Sequence, residues 1–139
     1  MGMNSGEIKK RFVEEIKLRA YDDRYIDLAE EKEILQIAIQ EGIGVDSARS
    51  LLRQACEQQG YVIESLLNEK AKTLLEQFAS NDGSIDKKEF DDTVGILFKA
   101  AQNRLSQAKC QKKVKALILD NEWKVKEGFM KGGKWFSEI

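Results

Sequence analysis

Apolar residues recur along this chain at steps of three and four and scarcely ever at steps of two, which predicts helices and no extended sheet. From about Ser5 to Ala20, the residues Ile8, Phe12, Val13, Ile16 and Ala20 share one helical face. Tyr21 to Tyr25 reads as a polar turn. Asp27 then caps a second helix carrying Ile34, Leu35, Ala38 and Ile39, which Gly42 ends. A third helix follows with Ala48, Leu51, Leu52, Ala55 and Cys56 on one stripe, and Gly60 stops it. Tyr61 to Leu66 leads into a fourth, in which Leu67, Ala71, Leu74, Leu75 and Phe78 repeat. Beyond Asp86 the stripe Phe90, Val94, Leu97, Phe98, Ala101, Leu105 and Ala108 runs to a bend near Asn103 to Ser106. It continues through Cys110, Val114, Leu117 and Ile118 to about Asn121. The expected fold is all-α: a compact bundle of five or six helices forming one helical domain over residues 5–121, with residues 122–139 as a tail.

The strongest break in this pattern is the stretch from Phe78 to Phe90, and it has a counterpart near the start. Asp82, Ile85, Asp86 and Glu89 spell D-x-x-I-D-x-x-E, and Asp23, Ile26, Asp27 and Glu30 spell it again 59 residues earlier. The chain therefore reads as two weakly related halves. One reading of the repeat is structural. With Asp86 at N-cap and Glu89 at N3, the two form a capping box, while Ile85 and Phe90 form a hydrophobic staple. Asp27 and Glu30 give the same box, but Glu31 stands where the staple partner would be.

The other reading is a divalent-cation site. With Gly83 at the sharp turn of a calcium loop, Asp82, Asp86 and Glu89 fall at liganding places, but Phe78 holds the opening place and offers no oxygen. In the first copy Arg24 replaces the glycine. The candidate metal ligands are Asp82, Asp86, Glu89, Asp23, Asp27 and Glu30, with calcium as the expected ion. Capping accounts for all of them except Asp23 and Asp82.

Composition narrows the chemistry further. The 139 residues are 42% hydrophobic and 34% charged, enough for a real core with solvated outer faces. Lys and Arg number 23 against 24 Asp and Glu, so no global field recruits nucleic acid or an anionic surface. Histidine is absent, which removes the commonest general base and metal ligand. Cys56 and Cys110 lie far apart on apolar stripes and read as inert packing, as expected in a reducing cytoplasm. No apolar run is long enough to span a bilayer, and no secretory signal is expected. Lys109, Lys112, Lys113 and Lys115 read as a solvated helix face without the interleaved aromatics of a nucleic-acid site. Glu30-Glu31-Lys32-Glu33 reads as an ordinary first helical turn. An enzyme is not expected.

From Trp123 onward the chain changes character, with three Gly, four Lys, both Trp and two Phe. Either Trp123, Phe129, Trp135 and Phe136 pack back on the bundle, or they form an arm that anchors a protein partner.

Two D-G-x-I-D-x-x-E-like helix openings about 60 residues apart, in a small His-free helical chain, resemble the TerB-like group. That group includes tellurite-resistance and DnaJ co-chaperone N-terminal domains. Asp82, Gly83, Ile85 and Glu89 match the motif, as do Asp23, Ile26 and Glu30, while Arg24 departs. The resemblance implies a non-catalytic helical interaction module in a stress-related or membrane-proximal assembly, sometimes with an acidic metal site. Divalent-cation sensing is the alternative.

Overall fold

In the computed structural model, residues 5–127 and 134–139 are described. The order is α1 (Ser5–Arg19), β1 (Tyr25–Ile26), α2 (Leu28–Gln40), α3 (Val45–Gln59), β2 (Val62–Ile63), α4 (Glu64–Ala79), β3 (Ser84–Ile85), α5 (Lys87–Ala100), α6 (Gln107–Asp120) and β4 (Lys124–Val125). The fold is all-α, with six helices among the described residues. None of them is long and apolar enough to cross a membrane.

The chain divides into two compact units, Met1–Ser65 and Leu66–Ile139. In the first, Phe12, Ile16 and Ala20 of α1 and its exit meet Ile34, Leu35 and Ala38 of α2. The same core takes in Ala48, Leu52, Ala55 and Cys56 of α3, with Ile26 and Ile63 closing it. Alanines recur where the helices meet, which allows close approach of their backbones. In the second, the buried positions are Leu67, Ala71, Leu75 and Ala79 of α4, Phe90, Val94 and Leu97 of α5, and Cys110, Val114 and Ile118 of α6.

The halves match beyond the acidic motif. Buried Glu31, Ile34, Leu35 and Ala38 of α2 stand 59 positions before buried Phe90, Thr93, Val94 and Leu97 of α5. Phe12, Ile16 and Ala20 stand at the same offset from Ala71, Leu75 and Ala79. After the second helix the offset becomes 62, because the α5–α6 link is longer than the α2–α3 link. Leu52 and Cys56 then correspond to Val114 and Ile118.

Each unit also holds a feature the periodicity does not announce, a two-residue parallel bridge. Tyr25 and Ile26 pair with Val62 and Ile63, and Ser84 and Ile85 pair with Lys124 and Val125. Parallel pairing needs a long crossover. Here α2–α3 and α5–α6 supply it. The backbone N–H of Val62 donates to the Arg24 carbonyl, and that of Lys124 to the Gly83 carbonyl, both at 3.0 Å.

Three expectations change. The bend after α5 is a full break: Gln102 and Asn103 take positive φ values of 51° and 68°, and Ser106 caps a new helix through a bond from the Lys109 N–H. Leu105 and Ala108 therefore leave the expected stripe, Leu105 in the loop and Ala108 exposed. Ile39 is 48% exposed, outside the α2 stripe that Ile34, Leu35 and Ala38 bury.

Candidate functional site

The two acidic corners are built alike. At the second, Asp86 Oδ1 accepts from the Glu89 N–H at 2.8 Å and Glu89 Oε1 accepts from the Asp86 N–H at 3.0 Å. At the first, Asp27 Oδ1 accepts from Glu30 N–H at 2.8 Å and Glu30 Oε1 from Asp27 N–H at 3.1 Å. Both capping boxes are therefore complete. The aspartates that capping left unexplained also have work: Asp23 Oδ1 accepts from the Tyr25 N–H, and Asp82 Oδ1 from the Ser84 N–H, each two residues on. Arg24 adopts φ 54° where Gly83 adopts 71°, so the first corner keeps the turn despite lacking its glycine.

The corners differ in what faces them. Lys126 Nζ lies 2.6 Å from Asp82 Oδ2, which holds the Asp82 carboxyl below its ordinary range and, with Asp86 and Glu89 nearby, raises the lysine. The acidic group of the second corner thus already has a cation. Its donor set does not fit calcium, because Asp82 is paired with an ammonium, one oxygen of Asp86 and one of Glu89 are spent on backbone N–H groups, and Phe78 offers nothing. At the first corner the residue 62 positions before Lys126 is Glu64, whose Oε1 accepts from the Leu28 N–H at 3.0 Å. Burial, and the charges of Asp27 and Asp23, raise the Glu30 carboxyl. Among the described residues no group of three or more His, Cys, Asp and Glu side chains is arranged to hold a metal ion.

The box predicts a measurable cost. Asp27→Ala and Asp86→Ala are each expected to lower stability by about 1 kcal/mol in chemical denaturation. An unchanged midpoint for both would mean that these carboxylates do not start the helices.

The aromatic tail residues take distinct places. Trp135 and Phe136 close a three-ring cluster on Phe90, with centroids 5.1 Å from Phe90 to Trp135, 6.2 Å from Phe90 to Phe136 and 5.6 Å between the two. Phe136 is 8% exposed. Lys115 Nζ donates to the backbone oxygens of Phe136 and Ile139, both at 3.0 Å, and lies 5.0 Å from the Phe136 ring centre. That corrects the reading of Lys115 as part of a solvated face. Trp135 Nε1 donates to the Lys126 carbonyl at 3.3 Å. Trp123 is half-buried, and its backbone N–H donates to the Ile118 carbonyl. Phe129 lies outside the described residues.

Glu31 escaped the sequence reading, which took it for an ordinary first-turn acid. It is 6% exposed and occupies the place that Phe90 holds in the other unit. Arg49 Nε is 3.8 Å from its Oε1, beyond hydrogen-bond range, and its Oε2 accepts no hydrogen bond among the described residues. The available signal was the missing staple: a carboxylate stands where the repeat calls for an aromatic. Beside it, burial and the Glu31 charge push the Cys56 thiol up to about 12, so that sulfur stays protonated and is no nucleophile near neutral pH. Burial raises Cys110 as well, against the opposing charge of Lys113.

Comparison with family models, curated proteins and solved structures gives no match for this chain.

Proposed function

We propose that this protein is a non-catalytic helical module that binds a protein partner by receiving a short peptide segment on a helix pair. The observation that carries this reading is the hold of α5 and α6 on residues 134–139. There a helix pair grips a peptide by an aromatic seat, Phe90, and by a lysine, Lys115, that catches two backbone oxygens. Recognition through main-chain groups plus one side-chain pocket is how many peptide-binding domains combine affinity with specificity. The reactive groups give no support to catalysis: there is no histidine, both thiols are buried, and one oxygen of each corner carboxylate is tied to a backbone N–H. A TerB-like, stress-related setting agrees with this reading and belongs to the same proposal.

A photo-crosslinking amino acid placed singly at exposed positions around both units, in the producing cells, tests it. The expected result is one polypeptide captured repeatedly from neighbouring positions of one face. Capture that is absent, or scattered over all faces, would refute the reading.

Calcium-type sensing is set against Lys126, which occupies the second corner. Calorimetric titration of the chain with calcium is expected to give no heat at millimolar ion, and melting is expected to be the same with and without chelator. A saturable heat that disappears in Asp82→Asn would revive the cation reading.

A further inference from the structure

One exposed stripe of α5 carries Lys88, Asp92, Gly95, Ile96 and Lys99, on the side of the helix away from Phe90 and the segment it holds. Gly95 stands inside this helix, where glycine is destabilising relative to alanine. The fold does not ask for it, because a Cβ added at Gly95 would meet nothing within 4 Å. A glycine that no neighbour in the chain requires leaves a notch open to a group from outside. Beside it Ile96 is 38% exposed and shares with Leu66 and Leu74 the wall of an open cavity of about 520 Å³. Asp92 and Lys99 form no ion pair among the described residues.

The first unit supplies the control. At the offset of the repeat, the matching residues of α2 are Glu33, Gln36, Ile37 and Gln40. A long side chain takes the place of the notch, the cation is gone, and Glu33 is engaged by Arg19 Nε at 3.3 Å. On the preceding helix Leu66 and Leu74 stand where α1 has Glu7 and Glu15. The same helical plan is thus built without Gly95, Lys99 and these leucines, so the core does not account for them.

The order of the residues along the stripe indicates what covers it. When two α5 helices are laid antiparallel so that Gly95 faces Ile96 of the second copy, the same register sets Asp92 opposite its Lys99. Both contacts then occur twice, and the surface is complementary to itself, as a two-fold interface must be. Helices approach closely where a glycine stands at the crossing, so each Ile96 seats on the other backbone with a charge pair on either side. A parallel pairing would set Asp92 against Asp92 and Lys99 against Lys99. The net charge of −1 raises no global repulsion between copies.

We propose that a second copy of this chain docks antiparallel on the exposed face of α5, with Ile96 of each copy in the Gly95 notch of the other and Asp92 paired with Lys99 at both ends. This goes beyond the peptide-receiving function and does not depend on it.

Sedimentation equilibrium of the full chain, at concentrations up to about 1 mM, is expected to show monomers in exchange with dimers. Asp92→Lys and Lys99→Glu each set like charges face to face at both ends, and each is expected to weaken association about tenfold or more without changing the circular dichroism. Mixing these two variants is expected to restore dimers, because each then meets the opposite charge; such a recovery needs both chains folded. Gly95→Gln, which borrows the residue of the first unit, is expected to weaken association by a similar factor with no loss of helix. A chain that stays monomeric at every concentration would overturn the proposal. So would a dimer that all three variants leave intact, or two dissociated variants that fail to pair on mixing.

Discussion

Phe90→Ala is expected to lower the stability of the second unit by about 3–5 kcal/mol, the range for removing a large aromatic from a filled interior. Phe90 is fully buried on the first turn of α5, and its ring is the common neighbour of Trp135 and Phe136. Truncation removes the packing of all three rings at once, because Trp135 and Phe136 would then meet a void rather than a surface. Two readouts check it. Denaturation curves should shift to a lower midpoint, and acrylamide should quench the tryptophan emission more strongly. Phe90→Leu, which keeps much of the volume, should lose less on both. A loss below about 1 kcal/mol would mean that the ring cluster contributes no more than a typical surface contact.

Glu31→Met is expected to act in the opposite direction, raising stability by about 1–3 kcal/mol. A buried carboxylate with an unmet oxygen carries its desolvation cost into the folded state, and an apolar side chain of similar length does not. Arg49 loses little, since its contact is long at 3.8 Å and its side chain is already 44% exposed. Thermal or chemical denaturation measures the gain. A variant less stable than the parent would show that the long contact with Arg49 outweighs the desolvation.

Much of the helical layout was legible because its punctuation is chemical. Asp27 and Asp86 cap, Gly60 ends α3 with φ 72°, and the stripes of α1, α3 and α4 lie where their apolar residues repeat. The break after α5 was less visible because Gln102 and Asn103 make the left-handed turn without a glycine. Thr93 was missed for a local reason: its hydroxyl donates to the Glu89 carbonyl at 2.8 Å, so a polar residue enters the core with its hydrogen bond made inside its own helix. The parallel bridges are two residues long, too short for alternation to register. Asp23 and Asp82 were legible as a recurring pair but not as side chains serving the backbone two positions on. The pairing of Lys126 with Asp82 joins residues 44 positions apart and has no local signature. Glu31 was hidden by its company, since Lys32 and Glu33 beside it are the surface charges they look like.

The parallel bridges have one more consequence. By holding residue 25 beside residue 62 and residue 84 beside residue 124, they bring the start and finish of each helix pair to one spot. A segment whose two ends lie together can be lifted out or copied as a cassette, because the chain on either side meets the same two anchor points afterwards. Such a frame holds its ends fixed while its contents differ, as they do at Glu31 and Phe90.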